Sequence, residues 1–213
     1  MLYLTADTHL DHDNIRVHAN RPYLTLDHMN HTIVRTWNSI VDSSDTVIIA
    51  GDLAWRNHMH WIGALNGKKI MIFGNHDKMS EEAREQFTEV IGSRKQPGTL
   101  ERTFDNIPLC ISHCPYASWN GSCHGVWHVH GHCHGSMEEY PDFLRADIGW
   151  DVWGQPVPWP VLQLKMRARE AAWRGRRKDM ETAAGHVTCQ QRVAATLAAN
   201  QAVLSAWHTQ TKS

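Results

Sequence analysis

Five short stretches set metal-type side chains directly after apolar runs. Asp7 and His9 follow residues 2–6, LYLTA, and Gly51 and Asp52 follow residues 46–50, TVIIA. Gly74, Asn75, His76 and Asp77 follow Lys69–Phe73, His113 follows Leu109–Ser112, and Gly131, His132 and His134 follow Val126–His130. Oxygen donors mixed with imidazoles suit a borderline or hard divalent ion: Mn, Fe, Zn, Co or Ni. Asp7, His9, Asp52, Asn75, His76, His113, His132 and His134 are too many ligands for one ion. Two ions about 3.5–4 Å apart that share one carboxylate would use all but one of them. Such a pair makes a bridging hydroxide at neutral pH and clamps a phosphoryl group for in-line attack. The residue left over would donate a proton.

A frame must bring these stretches together. Residues 2–6, 46–50, 69–73, 109–112 and 126–130 read as short buried strands. Met29, Ile33, Trp37 and Ile40 recur at spacings of four and three, which predicts an amphipathic helix over 26–41. A short helix is expected near 57–65. Ser80 is a good N-cap with Glu81 and Glu82 behind it, so 81–91 is expected to be helical. A late strand is expected over 146–152, ended by Pro156, Pro158 and Pro160, then a helix over 160–173. Gly175–Gly185 reads as a linker before a last helix over 187–208. Strands alternating with helices imply an α/β sheet. In such sheets ligand groups gather beyond the carboxyl ends of the strands.

The chain has 213 residues, 42% hydrophobic and 20% charged, which fits a globular protein and excludes a disordered one. Its 16 His and 10 Trp stand out, and the excess of His favours a metal site. The five Cys (110, 114, 123, 133, 189) follow no zinc-ribbon spacing. Cys133, between two expected ligands, should point away from the ions by alternation along an extended segment. Through residue 164, Lys and Arg number 12 and Asp and Glu 19, a net of −7; from 165 on they number 9 and 3, a net of +6. The basic stretch 165–178 is read either as a nucleic-acid contact or as the solvated face of a helix. No apolar run approaches the roughly 20 residues of a membrane span. The start, MLYLTADTHL, lacks the features of a signal peptide, so a cytoplasmic protein is expected, with its thiols reduced.

The five blocks D-x-H, G-D, G-N-H-D, a lone His and G-H-x-H, in this order over residues 7–134, resemble those of the calcineurin-like metallophosphoesterases. Flanking text is similar to a small bacterial and phage branch of that superfamily: Asn14-Ile15, Asn20-Arg21-Pro22, Trp37-Asn38 and Ile148–Trp153. The resemblance fades after about residue 164. It implies a two-sheet β-sandwich flanked by helices over 1–164, with 165–213 as a basic helical extension. It implies that Asp7, His9, Asp52 and His134 hold one ion. Asp52, Asn75, His113 and His132 would hold the other, so that Asp52 bridges. His76 would be the general acid, with Asp77 orienting it and raising its pKa, and a metal-bridging hydroxide would be the nucleophile.

Around this site Asn14 and Arg21 are expected to contact a phosphate oxygen. Trp55 is expected to stack on a nucleobase or to cover the sheet edge. His12, His58 and His60 are expected at the surface, and His128 and His130 on one face of a strand. Leu197, Asn200, Leu204 and Trp207 would form a seam in cis or against a second subunit, giving a monomer or a homodimer. The resulting expectation is a phosphodiesterase of small nucleotides, including 2′,3′- or 3′,5′-cyclic ones, with two divalent ions, manganese favoured. The alternatives are a single-strand nuclease, a phosphomonoesterase, or a non-catalytic module with structural zinc between Cys110 and His134. Closed zinc sites have no use for Asp7, His9, Asp52 and Asn75.

Overall fold

The computed structural model describes residues 1–137 and 143–183. Its strands are β1 (Leu2–Thr5), β2 (Thr46–Ala50), β3 (Lys68–Ile72), β4 (Glu89–Ser93), β5 (Gln96–Pro97), β6 (Thr99–Phe104), β7 (Ile107–Ser112), β8 (Trp127–His130), β9 (Arg145–Asp147) and β10 (Val157–Pro158). Its α-helices are α1 (Asp13–His18), α2 (Leu26–Ile40), α3 (His58–Ala64), α4 (Glu81–Arg84), α5 (Trp150–Trp153) and α6 (Trp159–Ala183). One sheet has the order β10-β1-β2-β3-β4-β5, and the other β6-β7-β8-β9. β1 to β4 run parallel, as do β7 to β9. β6 and β7 form a hairpin whose two-residue turn, Asp105-Asn106, has positive φ at both positions, the backbone that matches strand twist.

The apolar runs become central parallel strands, covered on both faces. Tyr3, Val47, Ile49 and Met71 pack against Met29, Ile33 and Trp37 of α2. Leu4, Ile48, Ile70 and Ile72 alternate with them and are buried on the opposite face. α2 starts where Thr25 Oγ1 accepts a hydrogen bond from the His28 N–H. Trp37 is fully buried, and its indole N–H donates to the Asn66 carbonyl at 3.0 Å. Trp37→Ala is expected to cost about 3–5 kcal/mol, read as a lower urea midpoint with little change in slope.

Three expectations are corrected. The helix over 81–91 stops at Arg84, and Glu89–Ser93 becomes a strand. The β-branched Val90 and Ile91 extend the parallel sheet by pairing with Met71 and Ile72. The late strand ends at Asp147, because Gly149 caps the short helix α5. Residues 175–183 continue α6 instead of forming a linker. The edge strands β5, β6 and β10 were not anticipated from the pattern. The helix expected over 187–208, and the seam on it, lie outside the described residues.

The chain divides into two compact units, Met1–Ala172 and Trp173–Ser213. In the first, Trp159, Leu162, Met166 and Glu170 of α6 are buried at helical spacing. Lys165 Nζ lies 5.0 Å from the Trp153 ring centroid, and the Arg167 guanidinium 5.4 Å from that of Trp127. Arg169 donates to the Arg145 carbonyl. Within the second unit, the Arg177 guanidinium stacks over Trp173. Among the described residues no helix is long and apolar enough to cross a membrane.

Candidate metal centre

The carboxyl ends of β1, β2, β3, β7 and β8 converge, and each delivers one predicted block. Cross-links between loops hold the ends together. The Asp7 N–H donates to the Gly51 carbonyl at 3.0 Å, and the His9 N–H to the Asp52 carbonyl at 3.0 Å. The two sheets meet where His113 Nδ1 donates to the Ala50 carbonyl at 2.9 Å. That bond fixes the ring and leaves Nε2 facing the site.

The backbone is strained here. Asp7, His9, Asp52, His132 and His134 all have φ between +48 and +70, the left-handed region that costs about 1–3 kcal/mol per residue. The site is also too tight for side chains at two glycines. A Cβ at Gly74 would lie 2.1 Å from Asp52 Oδ1, and one at Gly131 2.4 Å from Asp7 Oδ2. The motif glycines are there for close approach to the carboxylates.

Three groups of side chains have ligand atoms close enough to share an ion: Asp7, His9 and His134; Asp7, Asp52 and His113; and His113, Cys114 and His132. Asp52 lies between the first and the last. Its Oδ2 is 3.6 Å from His9 Nε2 and 3.3 Å from His113 Nε2, while Oδ1 accepts the His76 backbone N–H at 3.0 Å. His113 Nε2 is 2.9 Å from Asn75 Oδ1 and 3.2 Å from His132 Nδ1. Asp7 Oδ1 and His9 Nε2 are buried, 3.9 Å apart, and have no hydrogen-bond partner. Leaving such atoms unsatisfied costs about 1–3 kcal/mol each. Both are ordinary ligands of a divalent ion, so the donor set fits the implied metal.

His134 Nδ1 lies 2.6 Å from Asp151 Oδ2. Asp151 also receives Arg21 through Nε at 2.7 Å and a terminal nitrogen at 2.8 Å. The remaining Arg21 donors go to the carbonyls of Thr8 and Asp7 and to Met29 Sδ. All five guanidinium donors are thus spent inside the protein. This corrects the expectation that Arg21 contacts a phosphate. It instead anchors a carboxylate behind a histidine, the arrangement that fixes the tautomer of metal-binding imidazoles. Asp151 was missed as a site residue, although it lies within the stretch Ile148–Trp153 that carried part of the resemblance.

Asp77 is corrected too. Its carboxylate is fully buried and accepts the N–H groups of Asp52, Leu53 and Gly74 at 2.7–3.1 Å. It pins the loops after β2 and β3 to each other, and its partners are these backbone groups, not the His76 imidazole. His76 is half-buried at the rim. Its ring centroid is 5.7 Å from that of His9, 5.8 Å from that of His12 and 5.4 Å from that of Trp55. His12 and His58 were expected at the surface. His12 instead lines the cleft, with Nδ1 3.3 Å from His9 Nδ1, and His58 is buried. Trp55 stacks on His12 at 4.5 Å and 8°, with Lys78 Nζ 5.8 Å from its centroid. Asn14 is exposed on α1. His60 is exposed and packs edge-on against Trp61. His128 and His130 are a buried, stacked pair on one face of β8. Burial and the neighbouring His130 push His128 down to about 3. Cys133 Sγ faces Met137 Sδ at 3.9 Å.

Burial raises the Asp7 carboxyl to about 7, even with His113 and His134 pulling it down. Burial alone would raise Asp52 and lower His113, but their mutual hydrogen bond and charge win. Asp52 is held at about 2 and His113 raised to about 9. A metal-stripped site therefore carries protons on Asp7 and His113 that an incoming ion displaces. Affinity for a divalent ion then rises with pH, first as Asp7 loses its proton near 7 and again toward 9 as His113 does. Calorimetric titrations between about pH 6 and about pH 9 should show this increase, with proton release shrinking at the alkaline end. Affinity that is flat or falls across that range would contradict the assignment.

Beside His134 lies a cavity of about 310 Å³, bordered by Tyr23, Arg21, Trp150 and Asp151. That volume is at the lower end for small-molecule sites.

The chain is 32% identical over 146 residues to an uncharacterised protein of Methanocaldococcus jannaschii, covering 66% of this chain and 73% of that one. It is 26% identical over 186 residues to the gene 66 protein of Mycobacterium phage L5, covering 73% of this chain and 88% of that one. The solved structure of a protein of unknown function from Aquifex aeolicus shares the fold. The TM-score is 0.58 at 21% identity, with 74% of this chain and 94% of that one covered. Residues 2–186 match the calcineurin-like phosphoesterase family, and the chain belongs to it.

Proposed function

We propose that this protein is a two-metal phosphodiesterase acting on small nucleotides, cyclic ones among them. The observation that carries the metal requirement is the pair of buried, unpartnered atoms Asp7 Oδ1 and His9 Nε2. Asp7, His9, Asp52 and His134 would hold one ion, and Asp52, Asn75, His113 and His132 the other. Bound there, divalent ions supply Lewis acidity to a phosphoryl group and activate water. Asp52 sets the spacing of the two ligand groups. His76 stands at the rim, where a ring N–H can reach the leaving oxygen and give it a proton. Trp55 backs His12, and through it the position of His9.

The substrate class rests on access and on charge. Asn75 and His132 are exposed and His76 and His134 half-exposed, so one side of the ligand set opens to solvent while Asp7, His9, Asp52 and His113 are buried. An open site admits a phosphate carrying two ester groups. The cavity beside His134 offers Tyr23 and Trp150 to one of these. Lys165, Arg167 and Arg169, three of the basic residues in 165–178, lie against Trp153, Trp127 and the Arg145 carbonyl. This favours a small diester over a long strand.

The test compares bis-p-nitrophenyl phosphate with p-nitrophenyl phosphate on protein stripped of metal and then given Mn, Zn, Ni or Mg in turn. Diester turnover that needs a transition metal is expected, followed by activity on a cyclic nucleotide. A preference for the monoester would overturn the substrate class and leave the site intact.

A further inference from the structure

The third ligand group holds a thiol that the family motif does not call for. Cys114 follows His113 directly, and its Sγ lies within 4.8 Å of ligand nitrogens of both His113 and His132. Its main chain is fixed, because the Ser112 hydroxyl donates to the Cys114 carbonyl at 2.6 Å. Cys133 and Cys110 are placed differently: Cys133 is turned to Met137, and Cys110 is buried in β7. The centre as a whole carries an independent sign of a cation. Asp7 Oδ1, fully buried and unpartnered, shares a second ligand group with Asp52 and His113.

We infer that Cys114 supplies a thiolate to the ion held by His113, His132, Asn75 and Asp52, and that this position therefore selects a thiophilic divalent cation, zinc rather than manganese. The inference rests on the two-metal reading above. On binding, the ion takes the place of the thiol proton, which leaves to solvent, and no redox partner is needed. Zn–S near 2.3 Å and Zn–N near 2.0 Å would put the sulfur roughly 3–3.5 Å from the imidazole nitrogens, against the 4.8 Å within which these atoms lie here. A soft sulfur ligand added to imidazoles shifts preference toward zinc, whereas oxygen ligands alone suit manganese.

Cobalt is the probe, because a Co(II)–thiolate bond gives a near-ultraviolet charge-transfer band that oxygen and nitrogen ligands do not. The full-length protein, stripped and reloaded with Co(II), is compared with Cys114→Ser and Cys133→Ser, with bound cobalt counted in each. The expected result is two cobalt ions and the band in the parent and in Cys133→Ser, and loss of the band in Cys114→Ser. Zinc affinity relative to manganese should fall in Cys114→Ser by at least the ten- to hundredfold that loss of an outer-shell partner costs. Two bound cobalt ions without the band in the parent, or a band that survives Cys114→Ser, would overturn the thiolate ligand and leave the two-metal reading standing. Failure of the parent to bind cobalt would overturn that reading itself.

Discussion

Asp52→Asn is expected to lower diester turnover about a thousandfold, since several kcal/mol of charge stabilisation are lost at about 1.4 kcal/mol per decade. Asp52 Oδ2 lies close to both His9 Nε2 and His113 Nε2, at 3.6 and 3.3 Å. Asparagine keeps the shape, and its carbonyl still accepts the His76 N–H. What it removes is the shared negative charge. The fold should survive, because the same change frees His113 from a charge partner and lets its buried ring become neutral. Circular dichroism and the urea midpoint check this, and a metal count checks that at least one ion is lost. Turnover within a few-fold of the parent would show that Asp52 does not bridge.

The second large effect is expected behind His134. Asp151→Asn should cut metal affinity about 10–100-fold, because the carboxylate that orients the imidazole loses its charge. Arg21→Met should do more. It strands a buried carboxylate and the Asp7 and Thr8 carbonyls, and breaking a buried pair in this way costs about 3–5 kcal/mol. Arg21→Lys keeps the charge but cannot supply the two-pronged contact to Asp151. Its expected signature is weaker metal binding at a nearly unchanged KM once metal is saturating. A raised KM with intact metal affinity would instead restore Arg21 to the substrate.

Parallel strands buried on both faces leave plain apolar runs, and a polar residue at the end of such a run is conspicuous. Hence Asp7, Asp52, Asn75, His113 and His132 were legible together with β1, β2, β3, β7 and β8. β4 was hidden, since Glu81, Glu82 and Ser80 signal a helix start and say nothing of where it stops. Its strand character comes from pairing with β3. The roles of Asp77 and Arg21 were also out of reach. Asp77 was read as the partner of His76 and Arg21 as a phosphate contact, but their partners are backbone groups and Asp151, most of them brought in from other segments. Asp151 lies 17 residues past His134 and 130 past Arg21, with no fixed spacing to either. Cys114 was overshadowed by Cys133, which sits inside a motif yet faces Met137.

The most direct test of the two-metal centre is the number of ions bound. Protein stripped with a chelator, dialysed against excess Mn or Zn and passed over a desalting column is assayed by elemental analysis, alongside Asp52→Asn and Asp7→Asn. Two ions per chain in the parent and fewer in both variants is the predicted result. One ion or none in a folded parent that still hydrolyses a diester would contradict the account at its centre.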